Sequence, residues 1–93
     1  MPNEYKIIEV KNYLHSYFSY CEIKILPQTS PPVFDLIRGH KLVAKIEFLR
    51  MVWDDNDYKK IAGHLSKVKL ADEINKNIGK KFLIKNDKVV SVS

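Results

Sequence analysis

The first hydrophobic pattern of the chain has the period of an α-helix. Within residues 4–20, apolar side chains recur every three or four positions and fall in a sector about 100° wide. This stripe consists of Ile7, Val10, Leu14, Tyr17, Phe18 and, at its end, Cys21. We therefore predict an amphipathic helix over 4–20 that buries the stripe. The alternating residues 22–26 then predict a short, half-buried strand.

Residues 33–48 alternate apolar and charged side chains around Gly39-His40, which is typical of a β-hairpin. A two-residue turn would mix apolar and charged side chains on each face, whereas a three-residue turn at 38–40 separates them. We predict the second register. One face then carries Phe34, Leu36, Leu42, Ala44, Ile46 and Phe48, and the other carries Asp35, Val43, Lys45 and Glu47. We expect the second strand to run on toward Trp53.

The second half of the chain predicts helices followed by strands. Acidic residues at 54–57 mark a helix start. Two apolar stripes then lie on opposite sides of the helical wheel, the first being Tyr58, Ile61, Ala62, Leu65 and Val68, and the second Leu70, Ala71, Ile74 and Ile78. We predict two helices separated near 66–69, with Gly79 at the C-terminal cap of the second. Two short strands around Asn86-Asp87 complete the chain.

These elements define an α+β fold in a single small domain, residues 1–93. The predicted order is α-β-β-β-α-α-β-β, an antiparallel meander sheet with helices packed on one face. Three prolines within 27–32 are incompatible with a helix or a central strand and predict a loop.

The composition is that of an ordinary globular chain, with 45% apolar and 29% charged residues. No apolar run approaches the roughly 20 residues of a membrane span. We expect no secretory signal, because the N-terminal residues lack a positive region that leads into an apolar stretch. Cys21 is the single cysteine, and His15, His40 and His64 are too scattered for a zinc site. We expect a cytoplasmic protein that binds no cofactor and no membrane.

The positive charge is concentrated in the C-terminal third. The net charge is +5, and residues 59–88 hold nine lysines against three acids. These lysines are Lys59, Lys60, Lys67, Lys69, Lys76, Lys80, Lys81, Lys85 and Lys88. Clustered basic residues are typical of surfaces that bind phosphates, so we expect this third to contact nucleic acid.

Protein binding is the alternative that the same composition allows. The chain could be a small module or inhibitor, of a kind encoded by phages or mobile elements, whose partner is an acidic protein. Its anchor would be an exposed strand edge or Trp53 with neighbouring aromatic side chains. The second apolar stripe could also form a homodimer face through Leu70, Ala71, Ile74 and Ile78.

A third hypothesis concerns the charged residues of the hairpin. Asp35 lies on the second predicted strand, and Lys45-Ile46-Glu47 lies on the third. With the order helix, three-strand meander, helix and strand, this resembles the PD-(D/E)xK nucleases, in which such acids hold Mg²⁺. The lysine precedes the acid here, and Leu49 stands where that family has its lysine.

The resemblance implies a magnesium-dependent nuclease with Asp35, Glu47 and Lys45 as catalytic residues. Glu9 or Glu22 would be the third carboxylate. An ordinary cross-strand ion pair between Asp35 and Lys45 explains the same residues without catalysis. We therefore expect a binding domain more than an enzyme.

Overall fold

The computed structural model describes residues 3–26 and 29–92, and it confirms the predicted α+β class. Its elements, in chain order, are α1 (Asn3–Tyr17), β1 (Glu22–Leu26), β2 (Val33–Arg38), β3 (Lys41–Phe48), α2 (Arg50–Asp55), α3 (Ile61–Lys67), α4 (Leu70–Lys76), β4 (Lys80–Ile84) and β5 (Val89–Val92). Part of the loop predicted at 27–32 lies outside the described residues.

The strands form a sheet in the order β1-β2-β3-β4-β5. The pairs β1–β2, β2–β3 and β4–β5 are antiparallel, as a meander requires, but β3 and β4 run parallel. A parallel pair needs a crossover connection, and α2, α3 and α4 supply it. The helices thus cover one face of the sheet, and buried and half-buried residues alternate along β2.

The hairpin of β2 and β3 contains a β-bulge. Its turn is the two-residue Gly39-His40, because Arg38 pairs with Lys41 and Gly39 has the positive φ of 64°. The register shifts between Leu36, which faces Ala44, and Ile37, which faces Leu42. Val43 is therefore the extra residue, so the predicted three-residue turn is wrong.

The bulge preserves most of the predicted division of faces. Phe34, Leu36, Ala44, Ile46 and Phe48 are buried, as predicted. The predicted faces of two further residues of β3 are reversed, since Leu42 is 37% exposed and Val43 is buried. A bulge and a three-residue turn both shift the alternation by one residue, but the bulge does so inside β3, after Leu42.

The predictions that Tyr17 is buried and that β3 runs on toward Trp53 are also wrong. Helix α1 ends at Tyr17, which is 56% exposed, whereas Tyr13 is buried. Strand β3 ends at Phe48, and α2 begins at Arg50 in place of the predicted strand continuation. The helical path lets Trp53 pack on Phe48 and Phe34, with ring centroids 5.0 and 6.4 Å away.

The helical region after α2 follows the prediction in part. Lys69, with a left-handed φ of 58°, separates α3 from α4. The helix start predicted at 54–57 is wrong, because Asp54 and Asp55 end α2 and α3 begins at Ile61. Asp57 lies in the turn before α3, where its Oδ1 accepts the backbone N–H groups of Lys59 and Lys60 at 2.9 and 3.1 Å. Gly79, with a φ of 91°, lies two residues after the C-terminal cap of α4.

The predicted homodimer face lies inside the molecule. Leu70, Ala71 and Ile74 are buried in the core, and Ile78 alone of the four residues is exposed, at 65%. The reason is that α4 packs this stripe inward, in the layer of helices over the sheet. A second copy of the chain therefore has no access to the face that we predicted.

Helix α4 is capped by a residue from a distant part of the chain. Lys69, at its N-cap position, makes no side-chain cap hydrogen bond. The Tyr13 hydroxyl accepts the backbone N–H of Ala71 at 3.2 Å and lies 3.5 Å from the carbonyl oxygen of Leu65, to which it donates. Burial raises the pKa of Tyr13 above its ordinary value of 10.0. One hydroxyl thus joins α1, α3 and α4.

We predict that Tyr13→Phe lowers the free energy of unfolding by about 1–2 kcal/mol, because it leaves the Ala71 N–H without a partner. Urea unfolding measures this change. Tyr17→Phe is the matched control, since Tyr17 is exposed on the same helix. It should change the stability by less than about 0.5 kcal/mol.

The pH dependence gives a second readout of the same variant. A raised pKa means that the stability contributed by neutral Tyr13 is complete below pH 10.0 and is lost as the pH rises through the folded-state pKa. The stability difference between wild type and Tyr13→Phe should therefore shrink above pH 10.0. A difference that stays constant there would show that the hydroxyl does not have this role.

Candidate functional site

The charged residues of the hairpin lie on the face of the sheet that the helices leave uncovered. Cross-strand pairing places Lys24, Asp35, Lys45 and Lys81 side by side across β1 to β4. Lys45 Nζ lies 3.0 Å from Asp35 Oδ1, and Lys81 Nζ lies 2.8 Å from Glu47 Oε2. Each acid is therefore neutralised by a lysine from the neighbouring strand.

These contacts confirm the predicted ion pair between Asp35 and Lys45. They also place Lys81, one of the nine lysines expected to contact nucleic acid, in an ion pair with Glu47. Both pairs are partly exposed, and water weakens ion pairs of this kind to less than about 1 kcal/mol. The open face as a whole carries balanced charge.

The residues of the nuclease hypothesis do not assemble a cation site. Within residues 3–26 and 29–92, no three His, Cys, Asp or Glu side chains lie close enough together to hold a metal ion. Glu9 lies on α1, on the other side of the sheet, and Glu22 lies on the edge strand β1. The geometry supports ion pairing for Asp35 and Glu47 and lends no support to metal binding.

The nine lysines are distributed over several parts of the fold. Lys59 and Lys60 precede α3, Lys67 ends it, and Lys69 follows it. Lys76 ends α4, where its ammonium lies 3.8 Å from the Glu73 carboxylate. Lys80 and Lys81 begin β4, and Lys85 and Lys88 close the turn between β4 and β5.

A hydrogen bond joins two lysine-bearing segments that are distant in the chain. The buried His64 of α3 lies with Nε2 2.9 Å from the carbonyl oxygen of Lys85. Because a carbonyl only accepts hydrogen bonds, Nε2 carries the proton. Lys60 and Lys67 lie one turn before and one turn after His64, and thus on neighbouring positions of the helix surface.

The turn at Lys85 completes this surface. The backbone N–H of Lys85 donates to the carbonyl of Lys88 at 2.9 Å, so both lysines lie at the base of the same turn. We call the set Lys60, Lys67, Lys85 and Lys88 the His64 surface. The described residues contain no ion pair that involves any of the four.

The two segments that carry the His64 surface contain two acids. Asp87 lies in the turn between Lys85 and Lys88. Asp57 lies before α3, where its Oδ1 accepts two backbone N–H groups. Lysines therefore outnumber acids in the two segments 57–67 and 85–88, in contrast to the balanced open face of the sheet.

Gly63 adds a steric feature to the same surface. It lies between Lys60 and Lys67 on α3 and is exposed. A Cβ atom at this position would meet no atom within 4 Å, so the packing of the chain does not require a glycine. Glycine costs about 1 kcal/mol relative to alanine inside a helix. The bare backbone permits close approach of another molecule between the two lysines.

Two residues singled out from the sequence have structural roles. Trp53 is 2% exposed, so the prediction that it anchors a protein partner is wrong. Cys21 is buried, as expected for a small apolar residue, and burial raises the pKa of its thiol. The other predicted anchor, a strand edge, stays a prediction, and β1 and β5 are the two edge strands.

Comparison with known proteins adds no assignment to this geometry. No protein-family model matches the chain, and no significant match exists among curated proteins or solved structures. In the part of the chain that the structure describes, no helix is long and apolar enough to cross a membrane.

We predict that Asp35→Asn lowers the free energy of unfolding by less than about 1 kcal/mol, as expected for a partly exposed ion pair. Urea unfolding measures the change, and Glu22→Gln is the control on the same face. Mg²⁺ should leave the melting temperature of the wild type unchanged. A rise in melting temperature with Mg²⁺ that Asp35→Asn abolishes would contradict the ion-pair role and favour the nuclease hypothesis.

Proposed function

We propose that this protein is a non-catalytic nucleic-acid-binding domain and that the His64 surface contacts the phosphate backbone. The observation that supports the proposal is the hydrogen bond from His64 to the Lys85 carbonyl. It joins two lysine-bearing segments that are 21 residues apart in the chain. We also propose the cytoplasmic location that we expect from the sequence.

The proposed surface uses fewer lysines than the expectation from charge alone. Four of the nine lysines belong to the His64 surface. Of the others, Lys76 and Lys81 have carboxylate partners. Lys59 lies with its ammonium 5.8 Å from the centre of the Tyr58 ring. Unpaired lysines gain most from a phosphate, because no existing ion pair has to be broken.

The chemistry of the surface favours binding without base recognition. Lysine is a point charge and lacks the planar fork with which arginine reads guanine edges. The arginines of the chain are Arg38 and Arg50, and neither belongs to the His64 surface. We therefore propose contact with the phosphate backbone of either DNA or RNA, independent of sequence.

An acidic protein is the competing partner for the same lysines. A carboxylate chain also carries regularly spaced negative charge, so weakening by salt alone does not separate the two partners. Polyglutamate of the same charge as the oligonucleotide does separate them. The proposal requires that the oligonucleotide binds more tightly than polyglutamate at equal ionic strength.

We predict that replacing the four lysines of the His64 surface by glutamine weakens binding of a duplex oligonucleotide by at least roughly tenfold at low salt. Each lost phosphate contact should reduce the slope of log affinity against log salt by about 0.9, so the slope should fall by about three to four. Fluorescence anisotropy of a labelled oligonucleotide at several salt concentrations measures both quantities.

The matched control removes the same charge elsewhere, at Lys11, Lys24, Lys41 and Lys76. This variant should retain most of the affinity and most of the salt slope. Equal losses in the two variants would show that only total charge matters, which contradicts a defined surface. Tighter binding of polyglutamate than of the oligonucleotide would assign the surface to an acidic protein instead.

A further inference from the structure

One end of the sheet holds two neighbouring cavities that the His64 surface does not include. The first, of about 300 Å³, is lined by Ser19, Tyr20, Cys21, Glu22, Ile37 and Gly39. The second, of about 210 Å³, is lined by Tyr20, Arg38, Lys41, Leu42, Val43 and Ile78. Three segments that are distant in the chain meet here: the residues after α1, the β2–β3 turn and the α4–β4 connection.

The bulge in β3 builds the apolar part of the second cavity. It buries Val43 and turns Leu42 toward the surface. The Val43 carbonyl accepts the backbone N–H of Gly79 at 2.7 Å, which holds the α4–β4 connection against β3. Ile78, directly before Gly79, thereby lies beside Leu42 at the mouth of the cavity.

Large apolar side chains at this end of the sheet are exposed. Tyr20 is 58% exposed and Ile78 is 65% exposed. Together with Leu42, they form a contiguous apolar lining around one cavity. Grouped exposed apolar side chains on a small domain are typical of sites that bind another molecule.

Two cations lie at the same cavity. The Arg38 guanidinium carbon lies 4.8 Å from the centre of the Tyr20 ring. Stacking on a ring uses the flat face of a guanidinium and leaves the N–H groups at its edges free to donate. Neither Arg38 nor Lys41 forms an ion pair within residues 3–26 and 29–92.

We propose that the second cavity binds a carboxylate that is attached to an apolar group the size of one side chain. The apolar group packs among Tyr20, Leu42 and Ile78, and the carboxylate binds Arg38 and Lys41. At about 210 Å³ the cavity is smaller than a typical site for a drug-sized molecule. A free aliphatic acid and the C-terminal residue of a polypeptide both present this chemistry.

The test is a titration of the protein with N-acetyl-leucine, followed by amide chemical shifts in NMR spectra. The shifts should saturate at millimolar concentration and should map to residues 20, 38–43 and 78. N-acetyl-leucinamide, which lacks the charge, should bind at least roughly tenfold more weakly, because charge-assisted hydrogen bonds are lost.

The two arginines of the chain provide a matched pair of variants. Arg38→Gln should weaken the binding of N-acetyl-leucine about tenfold, whereas Arg50→Gln should leave it unchanged. Arg50 lies at the start of α2, 3.8 Å from Asp54. Ile78→Ser replaces an exposed side chain, so it should retain the fold and weaken binding through the apolar part of the site.

Further probes distinguish the source of the carboxylate. Tighter binding of a peptide that ends in leucine assigns the site to polypeptide C-termini, and tighter binding of hexanoate assigns it to free acids. Equal affinity for the amide, or no effect of Arg38→Gln, would overturn the proposal. So would tighter binding of a nucleoside monophosphate than of every carboxylate, since it would make the cavity a nucleotide site.

Discussion

The parallel pairing of β3 with β4 is the contact on which the rest of the structure depends. It aligns Ile46 with Phe82 and Phe48 with Ile84, and all four side chains are buried. Parallel neighbours require a crossover, and α2 to α4 make it over one face of the sheet. The same connection carries α3 to the β4–β5 turn, where His64 bonds to the Lys85 carbonyl. Without this pairing, the two lysine-bearing segments would not meet.

The ion-paired charges and the unpaired lysines lie on different parts of the fold. On the open face of the sheet, Asp35 and Glu47 neutralise Lys45 and Lys81. On the side of α3 and the β4–β5 turn, the lysines of the His64 surface have no carboxylate partners within the described residues. The charges of these two ion pairs thus neutralise one another, whereas the lysines that we propose for phosphate binding lie on other elements.

Much of the fold follows from local patterns. The period-two alternation of 33–48 correctly separates Phe34 and Ile46 from Asp35 and Lys45, and the opposed apolar stripes correctly predict the break at Lys69. The turn of the hairpin could not be read in this way. A bulge at Val43 and a longer turn shift the alternation equally, so both satisfy the same pattern.

Features that depend on contacts between distant residues could not be predicted from the sequence. Tyr13 is buried in place of Tyr17 because its hydroxyl caps α4, and the residue that it caps, Ala71, lies more than fifty residues further along the chain. The parallel direction of β4 relative to β3 cannot be predicted from the residues of either strand. His64 was one of three scattered histidines, and its role depends on the turn that it meets. A glycine inside a predicted helix, Gly63, is the sequence signal that could have drawn attention to α3.

The measurement that tests the account most directly is an NMR map of the residues whose amides shift when a short oligonucleotide is added. We predict saturable shifts concentrated at residues 60–67 and 85–88, with none around Asp35, Lys45 and Glu47. Shifts centred on the open face of the sheet would contradict the account, and so would the absence of saturable shifts at low salt.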